Sequence, residues 1–179
     1  ICDVCHQLSS ALDISAKLFI SVAAGTTVNQ IQQALNCKAA LVRVMPNTPA
    51  QLGLGMSGLF ASKEVNREQK AASDKLMSAV GKVIWLPSED KINDIIAVAG
   101  SAPAYFFMFM EAMEKHAQTL GFSAEESRML VQQTALGAAQ MVEHNAAPIS
   151  TLRENVTSKG GTTFAALEPV SYTHLTLPT

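Results

Sequence analysis

Residues 157–163 (TSKGGTT) set two glycines and several hydroxyls directly before an apolar run, Phe164-Ala165-Ala166-Leu167. If that run opens a helix, its first turn presents backbone N–H groups that have no carbonyl behind them. The helix dipole adds partial positive charge at the same end, so an anion is favoured there. The neighbouring hydroxyls supply further donors. A small carboxylate is the expected guest. The spacing is not that of the phosphate loop G-x-x-x-x-G-K-[ST]. A Gly-rich hinge between helices is the other account of these residues.

Two further segments concentrate small polar residues, Gly and Pro. Met45-Pro46-Asn47-Thr48-Pro49 follows an apolar strand pattern, which places it at the carboxyl edge of a sheet, where open α/β folds bind ligands. Asn47 offers donors and an acceptor, suited to a carboxamide or to nearby backbone. A rigid turn set by two prolines would use the same residues. In Gly100-Ser101-Ala102-Pro103-Ala104-Tyr105, Gly100 interrupts one helix and Pro103 suits the first turn of the next, with Ser101 at the N-cap position. Helix punctuation is the preferred account of that segment.

Other chemistries find no support. No G-x-G-x-x-G precedes a helix, and no nucleophile elbow is present. His6, His116, His144 and His174 are scattered, and no carboxylate–histidine cluster has metal-ligand spacing, so no metal is expected. Cys2 and Cys5 have C-x-x-C spacing, but there is no second pair and Cys37 stands alone. They are expected to be ordinary thiols three apart on a helix, in a reducing cytosol.

The elements that must carry these loops follow from periodicity. Residues 4–12 predict a helix with Val4, Leu8, Ala11 and Leu12 on one face. Residues 17–23 (KLFISVA) predict a buried parallel strand, ended by Gly25. Thr26 or Thr27 can then cap a helix bearing Val28, Ile31, Ala34 and Leu35. Residues 40–45 (ALVRVM) predict the next strand, 56–61 a further one, 66–80 a helix and 82–86 (KVIWL) a last strand. This βαβ rhythm implies a parallel sheet with helices on its faces. Beyond Pro87 only helical patterns remain, at residues 92–99, 104–120 and 124–144. Residues 105–110 are apolar on every side, as in a helix buried all round, here between subunits. The expected organisation is α/β followed by all-α. Residues 1–88 form part of a parallel-sheet domain, 89–168 a helical domain, and 169–179 a tail outside the helical pattern.

Composition agrees with a folded chain. Of 179 residues, 48% are hydrophobic and 16% charged, and the low charge suggests apolar surface covered by a second subunit. The net charge of −2, with no basic patch, argues against nucleic acid. The strongest apolar run, residues 102–110, is too short to span a bilayer and contains Pro103, so no membrane is expected. No secretion signal opens the given sequence, and a cytoplasmic location is expected.

Taken together, residues 21–25 (SVAAG), 43–50 (RVMPNTPA), 53–58 (GLGMSG), 100–105 (GSAPAY) and 156–163 (VTSKGGTT) resemble the pyrroline-5-carboxylate reductases, in that family's order and spacing, over roughly residues 4–168. The resemblance implies a Rossmann-like cofactor domain followed by a helical domain that interlocks with its twin in a homodimer or larger assembly. It implies hydride transfer from NADPH or NADH to the imine of 1-pyrroline-5-carboxylate, giving L-proline. By resemblance Thr163 is the hydroxyl near the imine nitrogen. The backbone N–H groups of Gly160, Gly161 and Thr162, with Ser158, hold the carboxylate, and Ala24 and Asn47 line the nicotinamide pocket. The loop is expected to come from the partner subunit.

Three departures qualify the resemblance. The family's opening strand, Gly-rich turn and Val-Lys-Pro motif are absent, so the chain alone is expected to bind NADPH poorly and to be inactive. Lys159 stands where many members have Pro, which alters loop stiffness. Residues 169–179 (PVSYTHLTLPT) replace the family's further helix and are expected to be non-native. An inactive fragment that only dimerises is the competing account.

Overall fold

The computed structural model describes residues 1–172, with side-chain surroundings given for residues 1–167. His174 and the rest of the tail beyond Tyr172 lie outside the described residues. The chain divides into two compact units, Ile1–Tyr105 and a second beginning at Phe106.

The first unit is built on a four-stranded sheet in the order β1-β2-β3-β4. Helix α1 (Cys2–Ala11) precedes β1 (Leu18–Ser21). Helix α2 (Val28–Ala34) starts with a capping box in which Thr27 and Gln30 satisfy each other's backbone N–H groups. It ends in a Schellman turn: Asn36 adopts φ 53° and its N–H reaches the Gln33 carbonyl, while the Cys37 N–H reaches that of Gln32. Strand β2 (Ala40–Met45) leads through a short 3-10 turn (Thr48–Leu52) into β3 (Gly55–Ala61). Helix α3 (Arg67–Ser78), with an Asn66/Gln69 capping box, returns the chain to β4 (Gly81–Trp85).

The expectation of a parallel sheet holds for two of the three pairings. β1 pairs with β2 and β3 with β4 in parallel, but β2 and β3 run antiparallel, with Val44 opposite Leu59. The reason is connection length. A parallel return needs a crossover of roughly a dozen residues or more, and the link from Met45 to Gly55 is shorter than that.

The pleat of β2 divides the core. Leu41 belongs to the cluster of Cys5, Val28, Ile31, Ala34 and Leu35, whereas Val42 and Val44 join Leu59 and the flanking Met77, Val83 and Trp85. On the second side, Asp74 accepts the Trp85 indole N–H at 2.8 Å, and the Lys70 ammonium lies 4.5 Å from the ring centre.

Helix α4 (Lys91–Ile95) packs on β3. Ile92 is buried, and a Cβ at Gly58 would come within 2.7 Å of Ile95. A π-helical turn (Ile96–Gly100) then leads into α5 (Ala102–Thr119). The expected punctuation falls at Gly100 and Ser101, with Pro103 in the first turn of α5, but Ser101 does not take the N-cap conformation. Ser101 has right-handed helical angles (φ −87°, ψ −19°) rather than the extended ones of an N-cap, and its N–H closes the wide turn on the Ile96 carbonyl at 2.8 Å. One correction follows for the apolar run. Lys91–Thr119 forms a 29-residue helical path, long and apolar enough to cross a membrane by length and composition. A helix covered by another protein surface meets the same criteria.

In the second unit, the remainder of α5 is followed by α6 (Ala124–Glu143), α7 (Ile149–Asn155) and α8 (Thr162–Tyr172). Ser123 and Glu126 form the capping box of α6, and the Ser123 backbone N–H holds the Glu126 carboxyl below the usual range. The helical domain was expected to stop at Glu168, yet α8 continues through Pro169 to Tyr172. Among the described side chains of this unit, only Ser127 and Val131 are buried. Phe106, Phe107, Met108 and Phe109 are each more than half exposed.

Candidate functional site

The turn after β1 carries Ala24 and Gly25, both exposed at the carboxyl end of the strand. It is fixed from below by a buried arginine. Arg43, paired with Ser21 in the sheet register, is 6% exposed. Its Nη2 donates to the Ala24 carbonyl at 2.7 Å, and its Nη1 meets Glu89 Oε1 at 2.7 Å. The same carboxylate oxygen accepts the Val28 N–H at 2.7 Å, satisfying the first free amide of α2. Sequence reasoning missed both Arg43 and Glu89. The signal was a lone arginine in the apolar run ALVRVM, since a charge placed inside a core requires a partner.

Asn47 lies at the same edge, just past β2. Its Oδ1 accepts the Met56 N–H at 2.9 Å and its Nδ2 donates to the Ala99 carbonyl at 3.1 Å. Ala99 stands four residues before Pro103, which has no N–H to offer it. The amide thus joins the start of β3 to the π turn, the backbone use that was one of its two expected roles. One amide hydrogen is left over from these two contacts.

Ser158, Gly160, Gly161, Thr162 and Thr163 come together at the start of α8. Gly160 adopts φ +74°, a conformation that suits glycine. The Gly161 N–H donates to the Ser158 carbonyl at 3.0 Å, and a Cβ on Gly161 would lie 2.3 Å from Ser158 Oγ. The serine side chain is therefore folded over a glycine that leaves it room. The first intrahelical bond runs from Ala165 N–H to the Gly161 carbonyl at 3.2 Å. The amides of Thr162, Thr163 and Phe164 precede it, so no helical carbonyl lies behind them. Ser158, Thr162 and Thr163 are exposed. This is the geometry of an anion-binding helix start.

The predicted residues thus fall into two groups: Ala24 and Asn47 on the sheet edge of the first unit, and the Gly–Thr loop in the second. Shallow hollows elsewhere on the second unit, one lined by Glu125, Arg128 and Gln132 and one by Met113, Leu120 and Leu130, contain none of them.

Comparison with known proteins covers nearly the whole chain. The family description "Pyrroline-5-carboxylate reductase dimerisation" matches residues 89–176. A pyrroline-5-carboxylate reductase of Vibrio alginolyticus is 59% identical over 166 residues, covering 92% of this chain and 61% of that protein. One from Pasteurella multocida is 51% identical, covering 96% and 62%. The chain belongs to the pyrroline-5-carboxylate reductase family. Solved members share its fold. The Coxiella burnetii enzyme superposes with a TM-score of 0.87 at 42% identity, over 95% of this chain and 63% of that one. The Plasmodium falciparum enzyme, solved with NADP bound, gives 0.86 at 28% identity, over 95% and 67%. The chain thus spans about three fifths of the curated family members it matches and combines a partial Rossmann-like domain with the family's helical dimerisation domain.

Proposed function

We propose that this chain is the larger part of a pyrroline-5-carboxylate reductase that reduces 1-pyrroline-5-carboxylate to L-proline, the last step of proline biosynthesis, in the cytoplasm. The observation that carries this reading is the start of α8, where consecutive backbone amides and the hydroxyls of Thr162 and Thr163 share one exposed helix end, in a chain 59% identical to a reductase of that name.

The substrate is a flat ring with one carboxylate and one C=N bond. The amides of Gly160 and Thr162, with Ser158, hold the carboxylate, while Gly161, whose N–H is taken by the Ser158 carbonyl, leaves room for the serine side chain. Thr163 directs its hydroxyl at the ring nitrogen, which takes a proton from solvent water through that hydroxyl as the neighbouring carbon receives hydride. Little acid or base strength is required; close alignment supplies most of the acceleration. NADPH or NADH supplies the hydride when bound. The exposed Ala24–Gly25 turn and the remaining Asn47 amide hydrogen fit the nicotinamide end. The sequence has no G-x-G-x-x-G turn, so this chain's residues account for that end of the cofactor alone. A second copy covers the apolar face of α5 and completes the site, giving a homodimer or larger assembly without nucleic acid or membrane. The proposed domain limits are residues 1–88 and 89–168.

The test joins the chain to the amino-terminal half of the Vibrio alginolyticus reductase. The product should oxidise NADPH when pyrroline-5-carboxylate is added, and Thr163→Ala should lower turnover about ten- to a thousandfold, as for loss of a transition-state donor. An inert joined protein would favour a module that only self-associates, and unchanged kinetics in Thr163→Ala would remove that hydroxyl from the mechanism.

A further inference from the structure

We infer that Arg43 is a positioning residue for the cofactor, setting the height of the β1–α2 turn on which the nicotinamide ring rests, with Glu89 as its strut. The inference rests on the proposed role of Ala24 and extends it to two residues that touch no ligand. Three observations carry it. Arg43 is buried at the carboxyl end of β2, directly opposite the last residue of β1. One guanidinium reaches both ends of the turn: Nη2 holds the Ala24 carbonyl, and Nη1 holds the Glu89 oxygen that takes the Val28 N–H. Between those anchors Ala24 and Gly25 stay exposed, at the sheet edge where open α/β folds bind ligands.

The geometry gives arginine a task that lysine cannot perform. A planar fork aims two N–H groups in fixed directions, whereas an ammonium is a single point charge on a flexible stem. Arg43→Lys keeps the charge but cannot hold Ala24 and Glu89 in the same geometry. Glu89→Gln keeps an oxygen that can still accept from Val28 and Arg43 but removes the counter-charge of the buried guanidinium, so it should disturb the turn less than Glu89→Ala. Glu89→Ala removes the strut while leaving the Arg43–Ala24 bond.

The experiment uses the chain joined to the amino-terminal half described above and reads NADPH affinity by fluorescence titration, independently of turnover. Arg43→Lys and Glu89→Ala should each weaken NADPH binding tenfold or more, on the scale expected for an ångström-sized misplacement, and Glu89→Gln should weaken it less than Glu89→Ala does. The apparent affinity for pyrroline-5-carboxylate should move by less than about twofold, because its carboxylate is assigned to the start of α8. If Arg43→Lys does not fold, as judged by circular dichroism, the Glu89 pair decides alone. The inference fails if the folded variants bind NADPH within twofold of the parent, or if the parent does not bind NADPH at all. A parent that binds NADPH without turning over substrate would defeat the proposed reaction and leave the affinity ratios to decide this point.

Discussion

The side-chain amide of Asn47 gives the Ala99 carbonyl the hydrogen bond that a helix would normally draw from residue 103, where this chain has proline. The same amide accepts from Met56, so one residue serves two backbone groups on different elements. Asn47→Ala should therefore lower stability by about 1–2 kcal/mol, the usual cost of leaving partly buried polar groups unpaired. Pro103→Ala restores an N–H four residues after Ala99, and in that background Asn47→Ala should cost less. Urea unfolding of the four proteins of this cycle checks it; strictly additive costs would mean the two residues do not share that carbonyl.

Gly161 faces a similar one-to-one constraint. Its absent side chain leaves room for Ser158 Oγ, 2.3 Å from where a Cβ would stand. Gly161→Ala should displace the serine and raise the KM for pyrroline-5-carboxylate about tenfold, the size of one lost hydrogen bond to a charged group. Adding Ser158→Ala removes the clashing oxygen, so the second substitution should do little further harm. Steady-state kinetics on the joined protein tests this, and fully additive losses would contradict the contact.

The exposed aromatic and methionine side chains of α5 make a third claim testable. Met108 is 75% exposed in the single chain. A carboxylate there would be buried unpaired if a second copy covers this face, so Met108→Glu should raise the dissociation constant about a hundredfold. Sedimentation equilibrium measures it. Association unaffected by this charge would place the interface elsewhere.

The sequence disclosed some of these features and concealed others. Strand β2 and helix α6 were legible because a buried strand reads as a continuous apolar run and a long helix repeats its stripe over many turns. The antiparallel return of β3 was not, since pairing direction leaves no mark on a strand's own pattern; only the short link after Met45 records it. The Gly–Thr helix start was visible as local chemistry. Arg43 and Glu89 were not, because their partnership spans 46 positions and no local rule relates them. Ser101 misled for the opposite reason. Its type and place match an N-cap, but the π turn before it leaves it with right-handed helical angles instead of the extended ones a cap needs.

The helical unit has almost no interior of its own, since Val131 and Ser127 are its only buried side chains among those described. Four helices cannot gain enough free energy from so small a dry region to offset the ordering of their backbones. Whatever covers them must therefore be counted as part of the fold. Dilution should not merely separate neighbours but loosen the helices themselves, and the melting temperature of this region should climb with protein concentration by mass action.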